Sequence, residues 1–130
     1  MKSDPVFAFK VWVQQRPEWE RVINARSRGK AKVEYYRSLT ESWPDFPYID
    51  IRCRKIGDPH TSSAFTRNAQ YRGMPGVKCG QRVAVGEGRG VIVGHNYSAN
   101  FNVLFDDDSP LYPGQTLNVH PSGCVLVEES

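Results

Sequence analysis

The chain has 130 residues, 39% of them hydrophobic and 24% charged, with a formal net charge of +3. That length suits one domain, or a small domain with a compact appendage, and 15 aromatic side chains (3 Trp, 6 Tyr, 6 Phe) exclude a disordered polyelectrolyte. No apolar run approaches the roughly 20 residues that cross a bilayer, and Asp4 and Lys10 interrupt the opening "MKSDPVFAFKVWVQQ", so neither a membrane partner nor a secretory signal is expected.

Charge is unevenly spread. Residues 1–75 hold 14 Lys/Arg against 8 Asp/Glu, a net of +6, whereas residues 76–130 hold 3 against 6, a net of −3. The expected organisation is therefore a basic α+β region over 1–75 and a separate small β module over 76–130. Cys53, Cys79 and Cys124 are odd in number, far apart and lack a C-x-x-C pair. They read as reduced thiols of a cytoplasmic protein rather than a disulfide framework or a zinc site. His60, His95 and His120 show no ligand spacing, so no metal and no other cofactor is expected.

In "VFAFKVWVQQ" (6–15), Phe7, Phe9, Val11 and Val13 alternate with Ala8, Lys10 and Trp12, which predicts a strand. Pro17 suits the first turn of a helix, Glu18 and Glu20 suit its positive end, and Trp19, Val22 and Ile23 form one apolar face. An unbroken helix would bury Arg26, Lys30 and Arg37 on that face, so a break is expected at "SRG" (27–29), with Gly29 in the turn. A second helix then starts near Lys30, with Ala31, Tyr35, Leu39 and Trp43 on its apolar face and Tyr36 beside them. Arg26, Arg28, Lys30 and Lys32 would crowd around this helix–helix junction. The "GK" pair alone is not a P-loop, which needs G-x-x-x-x-G-K and a following Ser or Thr.

"WPDFP" (43–47) closes the second helix, and "YIDIRCRKI" (48–56) follows as a strand. Ile49, Ile51 and Cys53 should face inward and Asp50, Arg52 and Arg54 outward; with Lys55 nearby they make a second basic cluster. "SSAFTRNAQYRGMP" then reads as a short helix with a Ser cap, Ala64, Phe65 and Ala69 in its body, and Gly73 and Pro75 as stops. It would pack the two halves together.

From Gly76 the pattern is all β: "QRVAV" (81–85), "RGVIVGH" (89–95), "FNVLFDD" (101–107), "QTLNVHP" (115–121) and "CVLVEE" (124–129). Gly, Asn, Asp and Pro turns separate these five runs. Gly88 and Gly90 suit a tight or bulged entry to the second run, and "HPSG" (120–123) suits a tight turn before the last. The order G-x-R-V-x-V, G-R-G-V-I-V-G, N-F-x-V-L-F-D-D, L-x-V-H-P, V-L-V resembles an SH3-like small barrel of the KOW or Tudor kind over residues 77–128. That resemblance implies a five-stranded barrel but no single activity, because such barrels host nucleic-acid, protein and methylated-peptide binding alike. A Tudor-type cage would draw on Tyr97, Phe101 and Tyr112, although Phe101 has the parity of a core residue. KOW-type barrels that bind RNA carry basic loops, whereas this one carries Asp106, Asp107, Asp108, Glu128 and Glu129, which repel phosphate.

The whole chain is also similar to small uncharacterised proteins of phages and other mobile elements. The shared stretches are Gly29–Lys32 with Tyr35 and Tyr36, Trp43–Asp45, Ile51–Lys55 and the β run just quoted. The resemblance implies an origin and no mechanism.

Catalysis has little to stand on. "HPSGC" gathers His120, Ser122 and Cys124 within one turn, whereas triad members usually come from separate elements. No small-molecule substrate is evident. The leading expectation is a non-enzymatic binding protein in which Arg26, Arg28, Lys30 and Lys32 contact nucleic-acid phosphates, with Arg52, Arg54 and Lys55 assisting. The bland alternative is a solvated basic junction. A rival of another class is a phage-type adaptor or inhibitor that docks on a host or virion protein, with Tyr97 and Tyr112 as anchors.

Overall fold

In the computed structural model, which describes residues 5–127 and only the backbone of Ile49, the chain forms two compact units. One is Pro5–His60 and the other starts at Thr61. The architecture is α+β, with two helices, a three-stranded sheet and a five-stranded sheet.

The first unit contains β1 (Phe7–Val13), β2 (Arg16–Ala25), α1 (Arg28–Thr40), a 3-10 turn at Tyr48–Asp50 and β3 (Ile51–Gly57). Its sheet order is β2-β1-β3, with both neighbours antiparallel to β1. The segment expected to be a helix from Pro17 is the strand β2. The i, i+3, i+4 spacing of Trp19, Val22 and Ile23 suggested the helix, but the period that operates is two. Trp19, Ile23 and Ala25 join the core, while Val22 is 40% exposed and faces the other way. Pro17 costs little here because β2 is an edge strand, where a missing N–H need not break a ladder. The junction holding the four cations is thus strand-to-helix. Gly29 lies inside the first turn of α1 rather than in a break.

Ala31, Tyr35 and Leu39, spaced by four, place one stripe of α1 on Phe9, Val11, Val13, Ile23, Ala25 and Ile51. The Tyr35 hydroxyl donates to the Trp19 carbonyl at 2.6 Å, so the ring is buried without an orphaned polar atom. Trp43 lies past the end of α1 and is 51% exposed rather than part of its buried stripe.

The second unit contains α2 (Ser63–Tyr71), β4 (Arg82–Val85), β5 (Gly88–His95), β6 (Phe101–Phe105), β7 (Thr116–Val119), a 3-10 turn at Pro121–Gly123 and β8 (Val125–Val127). Sheet order is β7-β6-β5-β4-β8, all antiparallel. Among the described residues no ladder joins β8 to β7, so the sheet is open rather than a closed barrel. Glu128 and Glu129, read above as the end of the last strand, lie outside the described residues.

Ser62 caps α2 by accepting from the Phe65 N–H at 3.0 Å. Phe65 and Ala69 then join Val83, Ile92, Phe101, Val103 and Phe105 in one core, and Phe65 stacks on Phe101 at 5.5 Å between centroids. α2 is thus built into this unit. Gly90 is required by space: a Cβ there would lie 2.6 Å from the Leu104 carbonyl oxygen and 2.9 Å from Val103 Cγ1.

Candidate nucleic-acid interface

The basic surface begins at Ser27, whose extended backbone (φ −151°, ψ 162°) and side-chain oxygen cap α1 by accepting from the Lys30 N–H at 3.2 Å. The first turn holds no acidic residue, and Arg28 and Lys30 are exposed there. Their charges add to the partial positive charge of the helix N-terminus instead of compensating it. This arrangement costs helix stability and raises the local affinity for anions.

Lys32, one turn on, is half-buried, with Nζ 5.0 Å from the centre of the Tyr48 ring. Tyr36 meets Tyr48 edge-on at 5.3 Å. On β3, Lys55 reaches over Phe7 with Nζ 3.5 Å from its ring centre. Cys53 lies two residues away on the same side of the strand. Burial pushes its thiol pKa up, and the charges of Arg28 and Lys32 pull it back down. Arg28 and Lys32 of α1 thus lie near enough to β3 for their charges to reach Cys53, and Lys32 and Lys55 each lie over an aromatic ring.

The remaining expected contacts fall elsewhere. Arg26 is only 8% exposed at the end of β2 and is no surface residue. Arg52 and Arg54 are exposed but occupy the opposite side of β3 from Lys55, in register with Trp12 and Lys10. Arg52 donates to Gln14 Oε1 and, at 3.4 Å, to its own Ile51 carbonyl, while Lys10 pairs with Glu20 at 3.0 Å. The cluster written "RCRK" is split by the period of the strand. Tyr48 and Phe7 were missed as partners of Lys32 and Lys55. The visible signal was their place beside basic elements, but only the fold pairs them.

In the second unit, the Arg82 guanidinium holds Asp106 through two charge-assisted bonds, with the Asp106 side chain 7% exposed. Only Asp107 and Asp108 of the acidic triplet are exposed. Tyr97 is 100% exposed. Tyr112, at φ 51°, meets Phe105 edge-on at 5.5 Å, and Phe101 is fully buried, so these three aromatics do not line one open cage. His120 Nδ1 lies 2.8 Å from Ser122 Oγ, but the Ser122 N–H also points at Nδ1 (3.1 Å) and Arg72 Nη1 lies 3.2 Å from Nε2. By accepting from the Ser122 N–H at Nδ1 the ring caps the 3-10 turn before β8, which is a structural use of this lone pair. Among the described residues no group of three or more His, Cys, Asp or Glu could hold a metal ion, and no helix is long and apolar enough to cross a membrane.

Comparison with protein-family models, curated proteins and solved structures finds no match to this chain.

Proposed function

We propose that the protein is a non-enzymatic binding protein whose first unit holds nucleic-acid phosphates through Arg28, Lys30, Lys32 and Lys55. The observation that carries this reading is the uncompensated amino end of α1, where two exposed cations reinforce the helix dipole instead of opposing it. Lys32 lies over Tyr48 and Lys55 over Phe7, and aromatic rings beside phosphate-binding cations suit contact with unpaired bases. The strand order of the second unit, with a 3-10 turn before its last strand, supports an SH3-like reading of that unit, and its exposed Asp107 and Asp108 favour leaving phosphate contacts to the first. Origin in a phage or mobile element rests on the sequence resemblance alone.

Fluorescence anisotropy with labelled single- and double-stranded oligonucleotides of mixed sequence tests the proposal. Binding at low salt that weakens steeply as salt rises is the expected result. A flat response at the lowest salt sinks it. The second reading, an adaptor or inhibitor on a host or virion protein, is favoured by the full exposure of Tyr97. It gains if oligonucleotides fail.

A further inference from the structure

β3 is an edge strand, with β1 on one side and no ladder on the other among the described residues. Such an edge leaves alternate backbone N–H and C=O groups pointing outward, able to pair one more extended chain. Arg52, Arg54, Lys55 and Ile56 are exposed along it. α1 packs on the face of the sheet that holds Phe9, Val11 and Val13, so Arg52 and Arg54 lie on the other face. There Arg52 stands opposite Trp12 and Arg54 opposite Lys10.

Three features select the occupant of this edge. The first is charge. Lys10 and Arg54 are like charges directly across a strand pair, which destabilises a sheet. Glu20 relieves Lys10 from β2 at 3.0 Å, whereas Arg54 has no hydrogen bond or ion pair among the described residues. A carboxylate on a strand added beyond β3 would do for Arg54 what Glu20 does for Lys10. The second is the exclusion of a copy of this chain, because antiparallel pairing of two β3 edges about Cys53 would set Arg52 against Arg54 of the other copy. The third is spacing. Residues two apart on a strand lie about 6.6 Å apart on one face, so carboxylates at alternate positions of an added strand would face both arginines. A nucleic-acid strand carries no alternating N–H and C=O groups to match the edge, whereas an acidic peptide uses both the edge and the charge.

We infer that the outer edge of β3 takes up an extended acidic segment of a protein partner as a further strand of the first sheet, its alternate carboxylates facing Arg52 and Arg54. Arg52 already donates to Gln14 Oε1, so Arg54 is the principal contact. This surface is distinct from the phosphate patch, whose cations lie on α1 and on the other side of β3.

The test is a titration of the isotope-labelled full chain with the blocked peptide acetyl-Thr-Glu-Thr-Glu-Thr-amide, read by backbone amide shifts and amide hydrogen exchange in NMR. The matched glutamine peptide and a short oligothymidylate serve as the other probes. Saturable shifts of the β3 amides are expected, with an affinity near 1 mM for so short a peptide. Alternate β3 amides should exchange at least about threefold more slowly at saturation, which a contact through side-chain charge alone would not produce. The glutamine peptide should bind at least about fivefold more weakly, and Arg54→Gln, an exposed substitution whose fold the same spectra check, should cut affinity for the acidic peptide about threefold. No shift at about 10 mM peptide, equal binding of the glutamine peptide, insensitivity to Arg54→Gln, or shifts without slowed exchange would each overturn the inference. So would oligothymidylate acting on these amides in place of the peptide, or slowed exchange that follows protein concentration with no peptide present. Because the peptide readouts lie on β3 and involve no oligonucleotide, their failure leaves the phosphate proposal to its own salt series.

Discussion

Removing Arg28 and Lys30 together is the most informative perturbation of the basic patch. On duplex DNA each phosphate contact contributes about 0.9 to the slope of log affinity against log salt, so four cations predict a slope near −3.6. Raising salt from about 50 to 200 mM should then weaken binding by about 150-fold. With Arg28→Ala and Lys30→Ala combined, the slope should fall to about −1.8 and the same salt step should cost only about 12-fold. The control is the pair Arg52→Ala and Arg54→Ala, on the other side of β3, which should leave the slope within about 0.5 of the parent. Anisotropy titrations at four or five salt concentrations give these slopes directly. Fold is not the confounding variable, because both residues are exposed and the Ser27 cap does not depend on their side chains. Equal loss from both pairs, or a parent slope near zero, would refute the assignment of phosphate binding to the amino end of α1.

The same double variant should be slightly more stable than the parent, by about 0.3–1 kcal/mol for each cation removed from the helix N-terminus, measured by urea denaturation at low salt. Gly90→Ala should destabilise the second unit by about 1–3 kcal/mol or more, since the added methyl meets the backbone of β6, and thermal melts read it. Asp106→Ala should cost that unit about 3 kcal/mol, because it leaves the Arg82 guanidinium without its paired carboxylate. Burial lowers the His95 pKa below its ordinary 6.5, so the folded state takes up its proton later than the unfolded one. Stability should therefore be full above about pH 6.5 and decline as pH falls through the lower folded value, and His95→Gln should flatten that decline in denaturation curves across pH 5–8.

The second unit was largely legible in the sequence. Its strands are short, bounded by turn residues and one-sided, so Phe101, Val103 and Phe105 could be assigned inward from parity alone, and each is almost fully buried. The first unit was less so. "RPEWERVINA" satisfies helical spacing with Trp19, Val22 and Ile23 and strand spacing with Trp19, Ile23 and Ala25. The choice between them is made by the ladder with β1, which is not local information. The candidate site inherited that ambiguity. The cations of "NARSRGKAK" were found, but whether each is exposed depends on where β2 ends and α1 begins: Arg26, just past β2, is buried, and Arg28, the first residue of α1, is exposed. The stack of Trp19 on Trp43, with ring centroids 5.1 Å apart, was hidden for a similar reason, because one indole lies on β2 and the other past the end of α1, and they meet only through tertiary packing.

The middle strand of the three-stranded sheet is also the first one synthesised. β1 finds β2 across a tight two-residue bend, but its other hydrogen-bonding edge waits until β3 has left the ribosome, after the whole of α1. A fragment that stops before Ile51 would present that edge, bare and flanked by Phe9 and Val11, to any neighbouring chain. Pro5–His60 is therefore the shortest piece of this half to express, and a circular permutant that starts at β3 should reach the same sheet with less time spent exposed.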